Sequence, residues 1–292
     1  MLDTTPSELI RVSPVTFPAG DAQLGGTLFL PLSAPRAALV LNGATGVPQG
    51  YYRHFARWLA ATQGIACLTY DYRGVGLSAV DEVRGCDATM LDWALVDQPA
   101  ARAEIRRQVP GAPLWVLGHS LGAMLLPMQQ GIAEIERVFA VASGYVHYSD
   151  HPWPYQGLAR LFWFGHAPLL TWMLGYLPGR RLGFGEDLPS GVYWQWRRWC
   201  ISPAFFWPEV GQTIPAPNWS VSGAPVRVVA FSDDVTAPDI CARRLGRAYG
   251  AEGLTHVVLS PEAFGLRSIG HIGAFSRANT AVWPALLGDV AV

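Results

Sequence analysis

Residues 114–117, Leu-Trp-Val-Leu, run straight into Gly118-His119-Ser120-Leu121-Gly122, and Ala123-Met124-Leu125-Leu126 follow. An apolar run ending in glycine reads as a buried strand, and the apolar run after it reads as a helix. The serine must therefore sit on a sharp strand-to-helix turn. Such a turn strains the backbone of its central residue and leaves no room for side chains two positions to either side, which is the physical reason for Gly118 and Gly122. It would expose Ser120 Oγ at a helix N-terminus, where the helix dipole and the first N–H groups favour negative charge. His119, within the turn, is expected to point away from Oγ. Pro127 falls inside the expected helix and predicts a kink.

Elsewhere strands and helices alternate. Residues 26–30, 37–41, 65–70, 138–142, 226–231 and 255–259 are short apolar runs that read as strands. Tyr52, Phe55, Ala56, Leu59 and Ala60 recur at i, i+3, i+4, i+7 and i+8 with Gly64 as a stop, which is the pattern of an amphipathic helix. Residues 97–108 read as another, closed by Pro110 and Gly111. The fold class is α/β, with a mostly parallel sheet flanked by helices and with ligand chemistry in the loops at the carboxyl ends of its strands. A chain of 292 residues can bury one large core. We read residues 1–144 and 221–292 as that core and residues 145–220 as an insertion.

A serine hydroxyl is a poor nucleophile at neutral pH, so a histidine must take its proton and an acid must orient the histidine. Of the seven histidines, His271 lies in the Gly-flanked loop Ser-Ile-Gly-His-Ile-Gly after the last strand. His54 rides a helix, His256 is inside a strand, and His147, His151 and His166 fall in the insertion. For the acid, Phe-Ser-Asp-Asp-Val-Thr-Ala-Pro follows the strand at 226–231, giving the chain order Ser, Asp, His. Asp234 opens an Asp-x-x-x-Pro turn and is the expected partner, with Asp233 a solvated or loop-capping carboxylate.

These residues resemble the serine hydrolases of the α/β-hydrolase superfamily, near the esterase, thioesterase and serine-aminopeptidase-like branch. Tyr70 to Ser78, Y-D-Y-R-G-V-G-L-S, is similar to the superfamily's D-x-R-G-x-G-x-S loop. The resemblance implies Ser120 as nucleophile, His271 as base, Asp234 as orienting acid and the N–H groups of Ala44 and Leu121 as oxyanion hole. In place of the superfamily's usual His-Gly before the oxyanion residue, this chain has Asn42-Gly43. Asp71 and Arg73 are expected to tie their loop together. Serine at the turn excludes the members whose nucleophile is aspartate. The implied reaction is hydrolysis of a hydrophobic carboxylic ester or thioester through an acyl-enzyme, with acyl transfer as the alternative on the same residues and a non-catalytic binding scaffold as the competing class.

All 21 basic residues are arginine, and the chain has no lysine. Schiff-base and PLP chemistry, the phosphate-binding P-loop and the Ser-x-x-Lys acylating pair all need the missing amine. No cofactor is implied. The formal net charge of -1 and the lack of any run of Arg argue against nucleic acid and anionic lipid as partners. Four cysteines without C-x-x-C spacing read as buried thiols of a cytoplasmic protein and suggest no metal. The acidic N-terminus lacks the pattern of a signal peptide. Residues 161–177 are the least polar segment, short for a span and broken by Pro168, so they read as a buried or interfacial helix and membrane insertion is not expected. Neither a protein partner nor an oligomeric state follows from the composition.

The insertion resembles the superfamily's lid and holds eight of the twelve tryptophans. Large aromatics supply such a segment with its own core. Trp194, Trp196 and Trp199 are the candidates to wall an apolar acyl pocket, although W-Q-W-R-R-W cannot put all three on one helical face. Arg180, Arg181, Arg197 and Arg198 read as a solvated face rather than an anion site, and His147, Asp150 and His151 as loop residues despite their metal-like spacing.

Overall fold

The computed structural model describes residues 10–79 and 82–292, so the N-terminal stretch read above for export signals lies, except for Ile10, outside the described residues. Its main sheet contains β1 (Ile10–Ala19), β2 (Ala22–Pro31), β3 (Ala37–Asn42), β4 (Ile65–Tyr70), β5 (Leu114–His119), β6 (Ile135–Val141), β7 (Val226–Phe231) and β8 (Leu254–Leu259). Their spatial order is β1-β2-β4-β3-β5-β6-β7-β8. β2 pairs antiparallel with both β1 and β4, and every other neighbouring pair is parallel. β3, β4 and β5 are buried along their whole length, which explains why they are continuous apolar runs.

Side chains on β3 alternate between two cores. Ala38 and Val40 join Trp93, Ile105 and Leu121 on one face, and Leu39 and Leu41 join Phe55, Leu59 and Trp283 on the other. The second face is covered by α1 (Arg53–Gln63), which turns Phe55, Ala56, Leu59 and Ala60 inward and ends at Gly64 with φ 63°. α2 (Gln98–Gln108) lies in the first core, preceded by a wide helical turn at Trp93–Asp97.

Three local expectations change. β1 was not expected, because Pro14 and Pro18 interrupt its apolar pattern; an edge strand paired only with β2 tolerates them. β6 starts at Ile135 and stops at Val141, since Ala142 takes φ 47° and cannot continue a strand. The helix after the serine, α3 (Leu121–Met124), ends after one turn instead of kinking, and Pro127 belongs to a separate 3-10 turn, Leu126–Met128.

Between β6 and β7 the chain forms α4 (Tyr155–Leu161), a wide turn Phe162–His166, α5 (Ala167–Leu174) and α6 (Ser190–Cys200). A two-stranded ribbon, Tyr176–Leu177 with Leu188–Pro189, connects α5 to α6. Among the described residues no helix is long and apolar enough to cross a membrane. After β7 comes α7 (Asp239–Tyr249).

Candidate active site

Ser120 stands between β5 and α3 with φ 54° and ψ −114°, a conformation that L residues hold only when their surroundings enforce it. The surroundings are close-packed backbone. A Cβ on Gly118 would lie 2.4 Å from Ala123 N, and one on Gly122 would lie 2.2 Å from Asn42 O. The Ser120 N–H donates to Val141 O at 3.0 Å, and its carbonyl accepts from the Ser143 hydroxyl, so the turn is tied to the end of β6. Leu121 is the first residue of α3, and its N–H has no acceptor within the helix.

His271 Nε2 is 3.0 Å from Ser120 Oγ, and Nδ1 is 2.8 Å from Asp234 Oδ2. The other oxygen, Asp234 Oδ1, accepts from the N–H groups of Thr236 and Ala237 at 2.8 and 2.9 Å. Burial alone would raise the pKa of this carboxyl. The His271 imidazole and the two amides outweigh burial and hold it below the ordinary value, so Asp234 is the ionised partner of Nδ1–H. Asp233 points elsewhere and caps the histidine loop: Oδ2 accepts from Ser268 Oγ and Ile269 N at 2.8 Å, and Oδ1 from Gly270 N at 3.0 Å. The structure thus brings together Ser120, Asp234 and His271 from three loops at the carboxyl ends of β5, β7 and β8. In this geometry Nε2 can accept the hydroxyl proton while Nδ1–H remains bonded to the carboxylate.

Ala44 departs from its expected role. Its N–H donates to Tyr52 Oη at 2.9 Å, so the amide expected to face an oxyanion is committed to a buried hydroxyl. Tyr52 Oη is also 2.8 Å from His119 Nδ1, and His119 Nε2 is 2.8 Å from the carbonyl oxygen of His271. A carbonyl only accepts, so Nε2 carries the proton and Nδ1 accepts from the Tyr52 hydroxyl. Burial raises the tyrosine pKa and lowers that of His119 to about 3, so both stay neutral. A one-way chain of hydrogen bonds therefore runs from the Ala44 amide through Tyr52 and His119 to the backbone of His271. His119 points away from Oγ as expected, but its part in linking two loops was not visible in the sequence. Tyr52 read simply as an apolar helix position; it lies just before α1, in the turn Gln49–Tyr52.

Asn42, which stands where a histidine is usual, holds the same loop from below. Its Oδ1 accepts from Tyr70 Oη at 2.9 Å, and its Nδ2 donates to Gly122 O at 3.1 Å. Tyr72 Oη donates to Gly43 O at 3.0 Å. Asp71 accepts from the amides of Gln49 and Leu77 at 2.7 and 2.9 Å, and Arg73 Nε is 2.8 Å from Asp97 Oδ1; both tie loops rather than face Ser120.

The chain between β6 and β7 meets both sides of this site. His151 Nδ1–H donates to Val235 O at 3.0 Å and Thr236 Oγ1 donates to Tyr155 Oη at 3.2 Å, both beside Asp234. Glu186 N donates to Gly46 O at 2.8 Å, and the Phe184 ring lies 3.1 Å from the position of a Cβ on Gly46. The three candidate tryptophans diverge. Trp199 is fully buried, against Phe205 and Phe206, and its Nε1 donates to Glu209 at 2.9 Å. With no exposed surface it stands in the hydrophobic core, where the sequence reading had it as a pocket wall. Trp194 packs on Tyr193 with Arg197 over its ring. Trp196 contacts Phe184 at 5.2 Å between ring centres and so reaches the Ala44 loop through one residue. Arg180 pairs with Glu186, Arg198 with Glu209 and Asp150 with Arg244, so none of them waits for a ligand.

A model of the alpha/beta hydrolase family matches residues 38–267. No curated protein is significantly similar to the chain in sequence. Solved structures share the fold at low identity. An esterase of Pyrococcus furiosus superposes with a TM-score of 0.60 at 14% identity, covering 99% of this chain and 94% of that one. A soluble variant of monoglyceride lipase from Saccharomyces cerevisiae, in complex with a substrate analog, gives 0.60 at 16% over 100% and 98%. A thermostable carboxyl esterase of Bacillus coagulans gives 0.58 at 14% over 85% and 90%. With a family match across most of its length, the chain belongs to the alpha/beta hydrolase family.

Proposed function

We propose that the protein is a serine hydrolase that cleaves a hydrophobic carboxylic ester or thioester through an acyl-enzyme on Ser120. The observation that carries this reading is the hydrogen-bonded chain Ser120 Oγ, His271, Asp234, at 3.0 and 2.8 Å, on a serine backbone strained toward the solvent. Ser120 Oγ attacks the carbonyl carbon as His271 Nε2 takes its proton. The tetrahedral oxyanion collapses, the carbon–oxygen or carbon–sulfur bond breaks, and the proton on Nε2 goes to the leaving alkoxide or thiolate. Water, deprotonated by the same nitrogen, then attacks the acyl-enzyme and releases the acid and Ser120.

Leu121 N–H is the first oxyanion donor. Ala44 N–H becomes the second only by sharing or leaving its bond to Tyr52. Residues 145–220 act as the lid, and Phe184 with Trp196 supplies an apolar wall on the Ala44 side. The related esterases and lipase support ester chemistry in this fold. Four free thiols suit a reducing, cytoplasmic setting. The experiment is covalent labelling by an alkyl fluorophosphonate with peptide mapping, alongside turnover of p-nitrophenyl esters. A label on Ser120 that Ser120→Ala abolishes, together with turnover, is expected. Unlabelled Ser120 and no turnover would leave the binding scaffold as the reading.

A further inference from the structure

The outward face of the insertion inverts the ordinary pattern of a surface helix. On the inner side Ala159, Trp163, Ala167 and Thr171 are buried at intervals of four residues. On the outer side Leu158, Leu161, Leu169 and Trp172 follow the helical repeat, with Phe164 and Met173 beside them, and all are exposed. Trp153, whose ring lies over Gly157, extends the stripe at its start. Trp153 is 78% exposed and Trp172 77%, so the largest side chains at the two ends stand in water. Between residues 152 and 173 the only exposed polar side chain is that of Arg160. Apolar patches of this kind mark a binding surface.

Charge indicates the occupant. The whole chain balances 21 arginines against 22 acids, but the face itself, residues 152–173, holds Arg160 and no Asp or Glu, and beyond its end Arg181 is exposed while Arg180 is paired with Glu186. The chain-wide balance hides this separation. We infer that the outer face of α4 and α5 docks on an anionic lipid surface, with Trp153, Trp172 and the leucines between them in the interfacial layer and Arg160 and Arg181 toward the headgroups. A symmetric contact between two copies of the chain would bring together two faces of the same sign, with no acid on either to neutralise Arg160. The segment is bonded to Val235 and Thr236 at its start, and Glu186, past its end, is bonded to Gly46, so the docked element lies between the two sides of the Ser120 site. Docking is a property of this face and does not depend on the proposed chemistry.

The test is flotation of the full chain with vesicles of 30% phosphatidylglycerol in phosphatidylcholine, against vesicles of phosphatidylcholine alone. The wild-type protein is expected to float with the anionic vesicles, more weakly with the neutral ones, and the Leu169→Glu/Trp172→Glu variant at least tenfold less with either. Both substituted positions are exposed, and an unchanged circular dichroism melt confirms the fold. Ser120→Ala should float like wild type, which separates docking from hydrolysis. Absence of flotation, or flotation that the double variant retains, overturns the proposal. So does a concentration-dependent dimer in lipid-free buffer that the double variant abolishes, since it assigns the face to a second copy.

Discussion

His119 gives the most direct link from a buried hydrogen bond to a measurable stability. An imidazole in the unfolded chain titrates near 6.5, whereas burial lowers the folded value to about 3. The unfolded state therefore binds a proton that the folded state refuses, and stability falls as the pH drops from 6.5 toward 3. Above 6.5 the cost is absent. At pH 5 the unfolded form gains roughly 2 kcal/mol from this one group, a figure that holds for any folded value below about 4. The perturbation is His119→Gln, which does not titrate but keeps an N–H for the His271 carbonyl and an acceptor for Tyr52 Oη. The assay is urea denaturation of both proteins at pH 7.5 and pH 5.0. Wild type should lose about 2 kcal/mol more than the variant between the two conditions, other groups cancelling in the comparison. Equal losses would refute the reasoning, because they would mean that the imidazole takes up a proton in the folded protein and that the direction of its bonds to Tyr52 and His271 is wrong.

Asp234→Asn should lower kcat by about 10⁴ by favouring the wrong imidazole tautomer, while Asp233→Asn, which loses acceptors for the histidine loop, should cost roughly 1–3 kcal/mol in urea denaturation with a much smaller change in kcat. Gly122→Ala would place a methyl 2.2 Å from Asn42 O and 2.8 Å from Asn42 Cβ; we expect a loss of about 3 kcal/mol or more, or no soluble protein. Trp199→Ala should cost about 3–5 kcal/mol in thermal or urea unfolding and leave the ratio of octanoate to acetate ester turnover unchanged, whereas a selective loss on octanoate would return Trp199 to the pocket wall.

The serine turn was legible because its demands are local. Strain at one residue, glycines two positions away and an apolar strand before it leave few alternatives, and both glycines prove to face backbone at contact distance. The parallel strands were legible because burial on both faces makes them continuous apolar runs. Choosing between Asp233 and Asp234 also rested on local geometry: the turn to Pro238 brings the amides of Thr236 and Ala237 to Asp234 Oδ1. β1 carries no such signal, as its prolines and exposed positions read like a loop until β2 is beside it. The segment between β6 and β7 gave only its composition, because which tryptophan turns inward depends on Phe205, Phe206 and Glu209, whose positions no periodicity in 194–199 reveals.

The loop at residues 42–46 shows why the remainder needs three dimensions. Its shape is set by groups distant in sequence: Tyr52 on the amide of Ala44, Tyr72 on the carbonyl of Gly43, Tyr70 on the side chain of Asn42, and Gly122 across the turn. Each tyrosine hydroxyl is buried and held neutral by that burial, so it can donate at any working pH. A buried amide or carbonyl without a partner costs about 1–3 kcal/mol, so these bonds hold a polar loop against an apolar core. The Asn42 side chain donates to one neighbour and accepts from another, and it thereby joins the end of β3 to the serine turn. Replacing the usual histidine by asparagine therefore leaves the loop braced rather than loose. The consequence lies at Ala44: the bond that braces it also occupies the N–H that the proposed oxyanion site would use.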